Sequence, residues 1–176
     1  MKKLRFAVVL VALLVPAIAF AHAVVYPAKS PPGAYERYVL RVPNEKDVPT
    51  TRVEIGFPPG VRVISFAEVQ GWTLAVARDT ADEITSATWT GTLLPERFVE
   101  LPFVAVNPRD ADTIVWPVFQ SYADGERVAW TGDAESNQPA SRTVIAADSS
   151  SSPDYLGWAA LATAVLALGV AVVSRK

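Results

Sequence analysis

The sequence predicts an all-β protein, an immunoglobulin-like antiparallel β-sandwich, on three observations. Short runs rich in Val, Ile, Tyr, Phe and Trp recur through residues 22–145, separated by turn-forming residues. Within the runs apolar and polar residues alternate, the period of a strand with one buried face. No internal stretch shows sustained helical spacing with a cap. Many short strands at regular intervals suit a two-layer sandwich, with a partly closed barrel as the rival. The chain has no cysteine, which argues against the disulfide-bearing antibody type and excludes thiolate metal sites.

From the N-terminus, residues 1–21 read as a secretory signal peptide. Lys2, Lys3 and Arg5 form the charged start, residues 6–14 the apolar middle, and Pro16 precedes small residues. The apolar part falls short of the about 20 residues that span a bilayer. Residues 22–145 then form one domain with its own core. In YERYVLRV (35–42), Tyr38, Leu40 and Val42 share one face, with Arg37 and Arg41 on the other. In TRVEIGF (51–57), Val53, Ile55 and Phe57 share a face while Arg52 and Glu54 point away. Further strands are expected over 62–66, 73–78, 84–90, 98–106, 113–122, 127–131 and 141–145. FPPG, Gln70-Gly71, DTADE, NPRDAD and ADGE punctuate them, and Asp124-Gly125 is the clearest hairpin signal. Trp72, Trp89 and Trp116 read as core residues.

AADSSSSPD (146–154) is polar and serine-rich, the composition of a flexible tether. Residues 155–174 follow as a transmembrane helix. Residues 156–173 carry no charge, and Tyr155 and Trp158 stand where an interfacial belt is expected. At 1.5 Å per residue the uncharged run reaches about 27 Å, close to the hydrocarbon thickness. Arg175 and Lys176 make a two-residue cytoplasmic tail. The expected location is the cell membrane, single-pass, with the domain on the extracytoplasmic side.

Between signal and helix, eleven basic residues face eighteen acidic ones, a net charge of −7. That disfavours nucleic acid and mildly favours cations. Enzyme classes fall away. With one histidine and no cysteine, a Ser-His-Asp or Cys-His triad would have to use His22. There is no phosphate-cradling glycine loop, HExxH or dinucleotide motif. Asp82-Glu83 and Asp110 with Asp112 sit in turn-like polar segments that match no EF-hand loop.

His22 stands just past the signal. Three cuts fit the small-x-small rule: before Phe20, before His22, or after Ala23, which removes the histidine. A cut before His22 leaves its amine and ring Nδ1 free to close a six-membered chelate. Two coplanar nitrogens suit Cu(II), which prefers tetragonal N and O ligands. A cut before Phe20 also gives a copper chelate, through the amine, two amides and a third-position histidine. The spacing alone leaves these readings open beside an incidental histidine.

Residues 22–58, HAVVYPAKSPPGAYERYVLRVPNEKDVPTTRVEIGFP, resemble the start of the YcnI-like copper-binding family, long catalogued as a domain of unknown function. GWTLAV, ITSATWTG, FQSYADGERVAWTG and the PAS of 139–141 extend the resemblance across residues 22–145, with NEKDVPTTRVEI its most distinctive part. The resemblance implies a sandwich fold and a single-histidine brace for Cu(II). His22 then supplies amine and ring nitrogen, Glu54 of the VEI motif a carboxylate, and Trp130 of VAWTG the tryptophan beside the metal. An indole N–H only donates, so Trp130 covers the ion rather than ligating it through nitrogen. The expected role is copper homeostasis or trafficking beside membrane copper transport or resistance proteins. The alternative is a metal-free surface adhesion module whose apolar patch binds protein.

Overall fold

The computed structural model describes residues 22–147. The expected signal peptide, the transmembrane helix, the tail and all but the first two residues of the tether lie outside them. Twelve strands run in chain order: β1 (Val24–Tyr26), β2 (Lys29–Ser30), β3 (Tyr35–Pro43), β4 (Thr50–Gly56), β5 (Arg62–Phe66), β6 (Thr73–Arg78), β7 (Ile84–Leu93), β8 (Phe98–Val106), β9 (Thr113–Trp116), β10 (Val118–Tyr122), β11 (Arg127–Trp130) and β12 (Ser141–Ile145). They form a four-stranded sheet β1-β3-β8-β5, a five-stranded sheet β11-β10-β4-β7-β6 and a small sheet β2-β12-β9. Strand pairing is antiparallel except between β2 and β12.

The alternation in the sequence builds the core directly. Tyr38, Leu40 and Val42 of β3 are fully buried, as are Val53 and Ile55 of β4. Leu101, Phe103 and Ala105 of β8 share their interior with Trp116 and Trp89. Tyr38 stacks on Phe103 with ring centroids 5.4 Å apart, and Phe57 and Trp116 meet the same phenyl ring edge-on. Phe66 of one sheet meets Trp89 of the other at 5.7 Å, which joins the layers at the β5–β6 side. Burying such aromatics contributes about 1.5–3 kcal/mol each by area.

β7 runs three residues past the expected 84–90 and β11 stops one short of 131, and two larger features depart from the expected strands. Residues 113–122 form two strands rather than one. Pro117 breaks them, because it has no N–H to give to a ladder, and the chain crosses there from the small sheet to the five-stranded one. The Pro117 carbonyl instead accepts from Gly56 N at 2.9 Å. Strands β1 and β2 add five residues that their short runs did not announce. The hairpin at Asp124-Gly125 forms as expected, with Gly125 at φ 88° and its N–H donating to Tyr122 O. A cleft of about 740 Å³ opens beside β6, lined by Phe66, Val69, Trp72, Leu74 and Trp89, with Glu68 its one charged side chain.

Candidate metal centre

Strand β1 lies along β3 with Val24 opposite Arg41 and Tyr26 opposite Val39. Carried back two residues, this register sets His22 level with Pro43, the last residue of β3. His22 is half-buried there. Its ring lies 5.5 Å from that of Trp130, edge to face at 76°. Trp130 is 7% exposed and donates its indole N–H to Gln120 Oε1 at 3.3 Å. The fully buried Gln120 amide then donates to Pro43 O at 2.9 Å and Thr50 Oγ1 at 2.8 Å. Because the indole only donates and the two oxygens accept, the amide can point one way only. His22, Trp130, Gln120 and the end of β3 are therefore tied into one corner, between the edge strands β1 and β11 of the two sheets.

Of the three residues that the sequence singles out, the structure brings His22 and Trp130 together. It does not bring Glu54 to them. Ile55, Val118 and Trp130 lie side by side across β4, β10 and β11, all buried. Glu54 lies one residue away, level with Phe119 and Ala129, and so projects from the opposite face of that sheet. Its carboxylate accepts from Arg52 Nη2 at 3.0 Å and has Arg127 Nη2 at 3.6 Å. It is a half-exposed outer-face carboxylate held by two guanidinium groups.

A different carboxylate, Glu45, stands close along the chain to the end of β3 that His22 is level with. Glu45 follows two residues after Pro43, at the start of the β3–β4 connection. That connection is fixed by Asn44, which is 1% exposed. Its Nδ2 donates to Val48 O and Leu93 O at 2.9 and 3.0 Å, and its Oδ1 accepts from Lys46 N at 3.1 Å. Its backbone N–H donates to Arg97 O, and its carbonyl accepts from Glu96 N. Glu45 is exposed, and its charge reaches Tyr122, the next inward-facing residue of β10 after Gln120. Burial first, then the carboxylates of Glu126, Glu45 and Asp124, push the Tyr122 phenol up to about 12. The sequence signal for Glu45 was present in VPNEKDVP, a charged turn directly after a strand. What could not be read was that the N-terminus pairs back along that strand.

Among the described residues no group of three or more His, Cys, Asp or Glu side chains could hold a metal ion. Among the described residues, His, Cys, Asp and Glu side chains therefore offer His22 at most one partner for a shared ion.

The chain is similar to proteins of known sequence and structure. The profile of the family described as "Domain of unknown function (DUF1775)" matches residues 22–145. The "Copper-binding protein CutI" of Bacillus subtilis (strain 168) is 37% identical over 136 residues, covering 76% of this chain and 66% of that protein, a little under two thirds of its length. A protein from Nocardia farcinica, described as having an immunoglobulin-like fold, superposes with a TM-score of 0.63 at 30% identity. That match covers 71% of this chain and 98% of the other, so the solved chain is little more than this domain. The all-β architecture is accordingly the immunoglobulin-like one expected from the sequence, and the chain belongs to the DUF1775 family, the YcnI-like family that its His22–Pro58 segment resembles.

Proposed function

We propose that this is an extracytoplasmic Cu(II)-binding protein, exported by residues 1–21, trimmed to begin at His22, and held at the membrane by residues 155–174. The observation that carries the reading is the His22–Trp130 contact at the end of β3, in a chain whose relative is named as copper-binding. The His22 amine and imidazole give two nitrogens in a chelate, and a carboxylate adds an oxygen of the kind a tetragonal N and O set takes. We assign that carboxylate to Glu45 rather than Glu54, since Glu54 lies across the sheet between two arginines. Trp130 caps the site from the interior and excludes water from one side. Its N–H is occupied by Gln120, so the ring is held in place whether or not copper is bound. The remaining positions on Cu(II) face outward, where a membrane copper transport or resistance protein can supply a ligand and take the ion. The ion is cargo, and the role is buffering or delivery in copper homeostasis.

Cu(II) titration of protein beginning at His22, followed by electron paramagnetic resonance, tests this. His22→Ala should abolish the tight site. Glu45→Gln should weaken binding at least tenfold and change the hyperfine pattern, and Glu54→Gln should leave both as they were. An unchanged spectrum for His22→Ala overturns the site. A changed one for Glu54→Gln with none for Glu45→Gln overturns the carboxylate assignment.

A further inference from the structure

Strand β6 is exposed along its whole length, although Leu74, Ala75, Val76 and Ala77 are apolar. It ends the five-stranded sheet on the side away from β11 and the His22 corner. Leu74 lies beside Trp89 and Val76 beside Ala87, both buried, so these two side chains belong to the inward face. They nevertheless remain 37% and 39% exposed, because the facing sheet ends at β5 and does not reach over them.

Natural edge strands are shielded by short length, bulges, proline or inward-pointing charge. The other edges of the two large sheets follow that rule. β1 has three residues and β11 four. β5 has five and is broken by a register shift between Val63 and Ser65. β6 runs for six residues, with no proline, no charge before Arg78, and a shift only at its last pair.

We propose that the β6 edge pairs with β6 of a second copy of this chain, joining two five-stranded sheets into one of ten strands. The occupant is argued from the strand's own pattern. An isologous antiparallel pair needs its two-fold axis at one residue, and residues opposite each other share a face. With Ala75 on the axis, Leu74 stands opposite Val76 of the second copy and Thr73 opposite Ala77. Both inward apolar residues of each copy then meet an inward apolar partner. No charge meets a like charge. Arg78, the last residue of the strand and just past its register shift, falls opposite Trp72 of the second copy, whose cleft has Glu68 as its one charged lining residue. The pairing therefore turns Arg78, which also meets Asp82 of its own chain, toward the cleft that carries the second copy's Glu68. It leaves the metal corner at the far edge of each sheet open.

The absence of cysteine from the chain allows a direct test on residues 22–147. In antiparallel strands, directly opposite Cα atoms lie about 4.5–5.5 Å apart, within disulfide range. Ala75→Cys should therefore oxidise to a covalent dimer. Thr73→Cys, on the same face but about 13 Å from its counterpart in this register, should cross-link at least tenfold more slowly. Light scattering after gel filtration should show the unmodified domain shifting from monomer to dimer between micromolar and millimolar concentration. Val76→Lys should weaken that dimer at least tenfold with its thermal midpoint retained. A domain that stays monomeric throughout overturns the proposal. So does equal cross-linking of the two cysteine variants. Neither result touches the copper reading, which is scored by spectroscopy at the other edge.

Discussion

Tyr38 and Tyr122 couple single side chains to the stability of the whole domain. Burial pushes both phenols from 10.0 up to about 12. For Tyr38 the Glu36 carboxylate adds to this, while hydrogen bonds with Ser30 and Asn107 oppose it. The folded protein thus holds these protons more tightly than the unfolded chain does. The stability that they contribute is complete below pH 10, and is lost as pH rises from 10 through 12. Urea midpoints should accordingly hold up to pH 10 and fall steeply above it. Tyr122→Phe should flatten part of that fall, and an identical profile in the variant would show that the phenol is not responsible. At this same scale the sequence was partly legible. Alternation put Glu54 on the polar face of its strand, and the structure agrees. It could not say that this polar face is the one turned away from the N-terminus. His22 and Trp130 lie 108 residues apart in the numbering and meet only because β1 and β11 are edges of facing sheets, a relation that no local pattern encodes.

The β3–β4 connection carries the proposed ligand Glu45 on a turn that Asn44 holds in place. Asn44 gives its amide protons to two carbonyls, one in its own turn and one at the end of β7. Its backbone groups pair with the 94–97 loop. Asn44→Ala would leave buried carbonyls without donors, at a cost of about 1–3 kcal/mol. It would also free the turn that carries Glu45. We therefore expect a lower denaturation midpoint and, separately, a Cu(II) affinity reduced about as far as in Glu45→Gln. Normal affinity in a destabilised Asn44→Ala protein would mean that the turn does not position the ligand. Strand existence was largely readable at this level. The expected 62–66, 73–78, 98–106 and 141–145 coincide with β5, β6, β8 and β12. Those runs have clean alternation between strong turn signals. β1 and β2 were not readable, since three and two residues carry no period. The break at Pro117 was visible as a proline. Its meaning, a switch between sheets, depends on which strands become neighbours.

At the scale of the whole molecule, the proposed copper site links parts of the chain that meet only in the native state. His22 hangs from β1 at the edge of the four-stranded sheet, Trp130 comes from β11 at the edge of the five-stranded one, and Glu45 lies in the turn that passes between the sheets. An ion held by His22 and Glu45 therefore binds the folded form far better than the unfolded chain, and it must raise the unfolding temperature by mass action. With free Cu(II) at about a hundredfold over its dissociation constant the gain is about 2.7 kcal/mol. For a domain of this size that corresponds to a shift of about 10 °C. The shift depends on the amine being at His22 itself. Protein that retains Ala21 keeps every side chain and loses the six-membered chelate, because its amine lies one residue further out. Calorimetry with and without Cu(II) should therefore give the full shift for protein beginning at His22. Protein retaining Ala21 and the His22→Ala variant should each keep less than about a third of it. Equal shifts in the first two would show that binding does not need the amine of His22 itself and that trimming at His22 has no part in copper binding.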